Sequence, residues 1–195
     1  MQIAAVILGY FIGSVPFALL LARRWGTPDL RRIGSGNIGA TNVLRASGVT
    51  AGLLVALLDI GKGAASVGLA ERLNGPSGIP ALAGLAAIVG HVYPIWLRFR
   101  GGKGVATAGG VFAALAPLAM LPALLVFLIA AWLTKYISLG SVLASAVLPV
   151  FAYVTGSPAP IVAAAAAAAT LIVFRHRSNL ARVWLGTERR LGAGA

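Results

Sequence analysis

The chain has 195 residues, 59% of them hydrophobic and only 10% charged, with a net charge of +12 and no cysteine. With glycine counted in and tyrosine left out, about 70% of it is apolar, against roughly 45–50% in soluble domains. A soluble domain this small has too much surface for its volume to hide that much, so the chain reads as an all-α integral membrane protein with no separate soluble domain and no thiol or disulfide chemistry.

Hydropathy marks apolar stretches at 3–22, 49–70, 79–97, 105–134, 137–154 and 160–174. The first lacks a basic lead and ends at Arg23-Arg24 without a small-residue cleavage site, so it reads as a retained helix. The stretch 105–134 would make roughly 45 Å of helix, too long for one upright span across a ~30 Å core. Pro117 and Pro122 predict a break near its middle, giving two short helices.

Charge decides between six spans and seven. With seven spans and the N-terminus outside, Arg23, Arg24, Arg31, Arg32, Arg45, Arg98, Arg100, Lys103 and Lys135 fall on the cytoplasmic side, with Arg175, Arg177, Arg182, Arg189 and Arg190. Only Arg72 is then outside, and Lys62 lies within a span; six spans would move Lys135 and the basic tail across. The expected fold is a polytopic bundle of seven transmembrane helices with a cytoplasmic C-terminus. Gly9-x-x-x-Gly13, the alanine run 163–169 and Gly109-Gly110 supply faces small enough for close helix contact in lipid.

The unusual residues lie in the loops. In the first, Gly34, Gly36 and Gly39, interspersed with Ser35, Asn37, Thr41 and Asn42, let backbone N–H groups turn toward an anion, and Arg45 just beyond can clamp a phosphate. An ordinary flexible loop accounts for the glycines equally well. The spacing Gly34-x4-Gly39 matches a P-loop, but Ala40 stands where its lysine belongs, which argues against a nucleotide triphosphatase. In the second, Gly101, Gly102 and Gly104 surround Lys103 and lead into a helix, a ready anion site. Topogenic charge explains Arg98 and Arg100 but not three glycines around one lysine.

Ser138 and Ser141 read as caps near a helix start. The segment 175–190 is an interfacial basic stretch whose arginines suit anionic lipid headgroups, with His176 and Asn179 on one helical face. Asp59 and Lys62 stand at i and i+3 within the second span, which predicts an ion pair turned toward the bundle. His91 fits either a catalytic base or a hydrogen-bonded brace to Asp59. The four carboxylates, Asp29, Asp59, Glu71 and Glu188, never come as a close pair, which argues against a two-metal site.

The run Gly34-Ser35-Gly36-Asn37-Ile38-Gly39-Ala40-Thr41-Asn42-Val43-Leu44-Arg45 resembles the signature of the bacterial acyl-phosphate:glycerol-3-phosphate acyltransferases, the PlsY family. The resemblance continues through Gly13-Ser14-x-Pro16-Phe17, Asp59-x-x-Lys62-Gly63, Gly90-His91-x-x-Pro94 and Gly101 to Thr107. It extends to Ser138-Leu139-x-Ser141, His176-Arg177-x-Asn179 and Gly186-Thr187-Glu188, with departures at Gly61 and at Leu180-Ala181. The His-x4-Asp pattern of soluble-type glycerolipid acyltransferases is missing, since Trp96 stands five residues after His91.

The resemblance implies one membrane acyltransferase domain over 1–195, with 191–195 as a tail, in the bacterial inner membrane with its active site at the cytoplasmic face. It implies transfer of a fatty acyl group from acyl phosphate to the 1-hydroxyl of sn-glycerol 3-phosphate, giving lysophosphatidic acid and inorganic phosphate. No metal, cofactor, nucleic acid or obligate protein partner is implied; the partners are the two substrates and membrane lipid. Lys103, Ser35, Asn37 and His176 are the implied catalytic residues. Gly34, Gly36, Gly39, Thr41, Asn42, Arg45, Gly101, Gly102, Gly104, Ser141 and Asn179 bind substrate, and Asp59, Lys62 and His91 support the site. A transporter would need recognition groups on both faces, and the outer loops carry almost none; a lipid-binding scaffold leaves Asp59, Lys62 and the glycine loops unexplained.

Overall fold

The computed structural model describes residues 2–26, 29–33, 35–73 and 78–192. Among the described residues, ten α-helices follow in order: α1 Gln2–Gly13, α2 Phe17–Arg24, α3 Ala40–Ser47, α4 Val49–Arg72, α5 Gly78–Val92, α6 Val105–Leu115, α7 Pro117–Thr134, α8 Ile137–Val154, α9 Ala159–Arg175 and α10 Arg177–Trp184. Short 3-10 turns occupy Leu30–Arg32 and Ile95–Leu97. The chain forms two compact units, Met1–Val111 and Phe112–Ala195.

In the first unit α1 packs on α5 and α4, and α4 also packs on α5 and α3. Glycine permits these approaches: a Cβ on Gly13 would run into the Ala87 carbonyl of α5, and one on Gly63 of α4 into the Thr107 carbonyl of α6. Beneath the first loop, Leu30, Val43 and Val55 form a fully buried apolar cluster. In the second unit α7 packs on α8 and α8 on α9, while α10 turns back onto α8 and α9 after a 54° bend. The alanine run buries Ala164, Ala165, Ala168 and Ala169.

Among the described residues, five helices or helix pairs are long and apolar enough to cross a membrane, and a sixth if α9 and α10 count as one bent span. At 1.5 Å per residue α6 is roughly 16 Å long, short of a ~30 Å core. The expected break of 105–134 falls at Ala116, with Pro117 opening α7; Pro122 lies inside α7 without ending it. The stretch 3–22, expected as one helix, is interrupted between α1 and α2. Pro16 has no N–H to carry the ladder on and disfavours helical backbone at Val15 before it. Residues 40–47, read as loop, form the short helix α3.

Candidate active site

The first unit carries two loops and a buried charged cluster. Asn42, on α3 and 1% exposed, ties the first loop together. Its Oδ1 accepts from the Ser35 N–H at 3.1 Å and the Ser35 hydroxyl at 3.3 Å. Its Nδ2 donates to the carbonyls of Leu30 at 3.0 Å and Ile33 at 3.1 Å. Both ends of the amide are thus engaged in shaping the loop.

Ser35 and Gly36 stand exposed at the loop's tip, where Gly36 takes φ 68° and closes a turn through its N–H on the Ile33 carbonyl. Asn37, Gly39 and Thr41 are half-buried, as is Arg45 in the last turn of α3; Gly34 lies outside the described residues. Asp29, which sequence reasoning left without a role, caps the turn Leu30–Arg32 and pairs with Arg31 at 2.7 Å. Hydrogen bonds from the Arg31 side chain and backbone hold its carboxyl down to about 2.

The second loop folds back on the end of α5. The N–H of Gly101 donates to the Val92 carbonyl at 3.0 Å and that of Gly102 to the His91 carbonyl at 3.1 Å, capping that helix end. Gly104, at φ 86°, then turns the chain into α6, with Lys103 half-buried between the two glycines. Asp59 and Lys62 form an ion pair at 2.8 Å, and His91 Nδ1 lies 3.6 Å from the same Asp59 oxygen; all three side chains are buried. A small cleft lies over this cluster, lined among others by Ser14, Phe17, Ile38, Lys62, His91 and Gly102. The structure thus brings Asp59, Lys62, His91 and Gly102 together, and separately Ser35 with Asn42.

The second unit carries a polar knot around Glu188, which is 8% exposed. Its Oε1 accepts from Asn179 Nδ2 at 2.6 Å and the Ser138 hydroxyl at 2.9 Å, and its Oε2 from Arg182 Nε at 2.8 Å. Burial pushes this carboxyl up, but the bonds from Asn179, Ser138 and Arg182 outweigh it and leave it below the ordinary 4.5. His176 sits at the joint of α9 and α10 with Nδ1 2.8 Å from the Ile172 carbonyl, which places the proton on Nδ1. Ser141 donates to the Ile137 carbonyl within α8. Neither Ser138 nor Ser141 caps the helix as expected: their hydroxyls go to Glu188 and to Ile137. Sequence reasoning gives Glu188 no role in holding the site; its signal is a lone carboxylate in a strongly basic tail.

Comparison with known proteins gives one answer. Residues 3–186 match the family described as Glycerol-3-phosphate acyltransferase. The protein of that name from Sinorhizobium fredii is 48% identical over 186 residues, covering 94% of this chain and 89% of its own. Its namesake from Syntrophotalea carbinolica is 44% identical and covers 94% of each chain. Among solved structures, PlsY, described as an integral membrane glycerol 3-phosphate acyltransferase in its glycerol 3-phosphate form, is 41% identical. It superposes with a TM-score of 0.93 over 98% of this chain and 96% of its own. The lysophosphatidic acid form of PlsY gives 0.90 at 39% identity, over 98% and 95%.

Proposed function

This chain belongs to the glycerol-3-phosphate acyltransferase family, and from that premise we propose that it acylates the 1-hydroxyl of sn-glycerol 3-phosphate with acyl phosphate as donor. The observation that carries the reading is likeness over the whole length: 41% identity and a TM-score of 0.93 to a protein whose solved forms are those of glycerol 3-phosphate and lysophosphatidic acid. Because the family match runs 3–186, we read the chain as a single acyltransferase domain. It is an integral membrane acyltransferase. Its finer topology in this reading has seven spans, the N-terminus outside and the loops bearing Ser35 and Lys103 at the cytoplasmic face of the bacterial inner membrane, supported by where the basic residues fall.

In the reaction, the acceptor hydroxyl oxygen bonds to the acyl carbonyl carbon while the carbon–oxygen bond to phosphate breaks. The products are lysophosphatidic acid and inorganic phosphate, and the hydroxyl proton leaves on the phosphate. Ser35, Asn37 and the backbone of Gly36, Gly39 and Thr41 are assigned to the acyl phosphate. Lys103, between Gly101, Gly102 and Gly104, offsets the charge that develops on the carbonyl oxygen. Arg45, Ser141, His176 and Asn179 are assigned to glycerol 3-phosphate. A departing phosphate with a second pKa near 6 is a competent proton acceptor at neutral pH.

Phosphate release by the purified protein in lipid, from palmitoyl phosphate with and without glycerol 3-phosphate, tests this, with palmitoyl-CoA alongside and Lys103→Ala as control. Acceptor-dependent release from palmitoyl phosphate alone, lost in the variant, is expected. Turnover of palmitoyl-CoA instead would overturn the donor, and turnover of neither in folded protein would overturn the reading.

A further inference from the structure

Lys62 has three N–H donors, and the scaffold takes two of them in hydrogen bonds. It bonds Asp59 at 2.8 Å and the Val15 carbonyl, in the break between α1 and α2, at 2.9 Å; its Nζ also lies 5.7 Å from the centre of the Phe17 ring. Asp59, held by Lys62, faces Nδ1 of His91 at 3.6 Å. The opposite edge of the ring is the boundary of the second loop: a Cβ built on Gly102 would collide with His91 Nε2. The amide of Gly102 meanwhile donates to the carbonyl of the same histidine.

The turn leading into this loop is closed by its own backbone bonds, from the N–H of Arg98 to the Ile95 carbonyl at 3.2 Å, of Phe99 to the Pro94 carbonyl at 3.0 Å and of Arg100 to the Leu97 carbonyl at 3.1 Å. Arg98 and Phe99 both take left-handed backbone, at φ 51° and 61°, which costs energy in a residue with a Cβ. Two such residues in succession are sustained by those bonds together with the groups packed around the turn. Two further bonds pin those surroundings: Trp96 Nε1 to the Ser14 hydroxyl at 2.9 Å, and the Tyr10 hydroxyl to the Tyr93 carbonyl at 2.8 Å.

We propose that Asp59, Lys62 and His91 are positioning residues for acyl transfer: Lys62 holds Asp59, Asp59 orients the His91 ring, and His91 sets the position of Gly102 and hence of Lys103. This deepens the reading of Lys103 as a donor-binding group and rests on it. His91 in this account takes no proton from the acceptor; its ring is the surface against which the loop is fitted.

The test is a rescue. Gly102→Ala forces a methyl into the ring and lowers kcat/KM for palmitoyl phosphate by about 100-fold, the cost of misplacing a binding group by about an ångström. His91→Ala alone lowers it about tenfold. The double variant has room for the methyl and recovers at least about tenfold over Gly102→Ala. A double variant no better than Gly102→Ala, with both folded by gel filtration and melting, overturns the proposal. So does one worse than either single variant, the result expected if His91 were the base.

Asp59→Asn, nearly isosteric, keeps the question open to measurement if a glycine or histidine variant fails to fold. Its amides at 101 and 102 should exchange with deuterium at least about tenfold faster than in the wild type, with those of α8 unchanged. Unchanged exchange at 101 and 102 overturns the proposal. This readout needs no substrate: a wild type inactive with palmitoyl phosphate would sink the assigned reaction, and exchange would still decide the positioning role.

Discussion

Replacing Glu188 by glutamine changes one atom in the knot of the second unit, and the geometry says which bond fails. Oε1 already accepts from Asn179 and Ser138, so the amide oxygen of glutamine takes that side and both bonds survive. The amide nitrogen then falls where Oε2 stood, 2.8 Å from Arg182 Nε, and two donors face each other. A hydrogen bond to a charged group contributes about 1.5–3 kcal/mol, and the Arg182 side chain is 40% exposed and can swing into water. The loss therefore falls at the lower end, about 1.5–2 kcal/mol, or roughly 3–8 °C in apparent Tm for a chain of this length. Glu188→Ala removes the bonds from the buried Asn179 and Ser138 and from Arg182 together, which costs about 3–5 kcal/mol. The sign with pH follows from the lowered carboxyl: the stabilisation is full above its ordinary 4.5 and is lost as pH falls through the depressed native value. Apparent Tm of the purified protein in detergent from pH 7 down to about pH 3 reads both effects. Glu188→Gln within about 0.5 kcal/mol of wild type, with an unchanged acid limb, would refute the reasoning.

Other substitutions separate further claims. Gly13→Ala drives a methyl into the Ala87 backbone, which cannot move aside, and should cost about 1–3 kcal/mol, whereas Gly68→Ala meets open space in α4 and should gain up to about 1 kcal/mol; paired melting curves decide. Asn42→Asp keeps the acceptor for Ser35 but points a carboxylate oxygen at the Leu30 and Ile33 carbonyls, so it should lower kcat/KM at least as much as Asn42→Ala; near-normal activity would show that the loop does not depend on those two bonds. His176→Asn retains a donor toward the Ile172 carbonyl but no titrating nitrogen; a kcat loss of about tenfold fits a phosphate that takes its own proton, while a loss of ~10³ with KM unchanged would make His176 the base.

Composition alone made the membrane and the helices legible, because no other environment accepts so much apolar surface in so short a chain. Pro117 was legible as a break since the helix around it was too long. Pro16 was not: hydropathy averages over a missing N–H, and the residues on both sides of it are apolar. The helix α3 escaped because its glycine-rich lead reads as loop and its eight residues owe their order to Val43, fully buried, and to packing on α4. In the candidate site, residue types were legible and partners were not. Asp59 and Lys62 were paired in advance because i,i+3 spacing on a helix is a local fact. Glu188 and Ser138 are 50 residues apart in sequence, and no periodicity encodes such a meeting.

How the four carboxylates are used bears on the chemistry. A general base for the acceptor hydroxyl would need an acid with its pKa raised toward neutrality and no cation neutralising it. Asp29 and Glu188 are shifted the other way, by Arg31 and by the Asn179–Ser138–Arg182 donors. Asp59 is closed by Lys62. Glu71 stands exposed in the last turn of α4, at the far end of a 24-residue helix from its junction with α3. Every carboxylate is therefore spent on holding another residue or lies away from the loops. His91 is engaged at Nδ1 by Asp59 and walled at Nε2 by Gly102. What remains is His176 and the substrate itself. In the proposed reaction the donor arrives already activated and its phosphate leaves as an anion able to take a proton, so that transfer asks of the protein mainly placement and positive charge. Those are what a chain with sixteen basic residues, four carboxylates and glycine-shaped loops is equipped to supply.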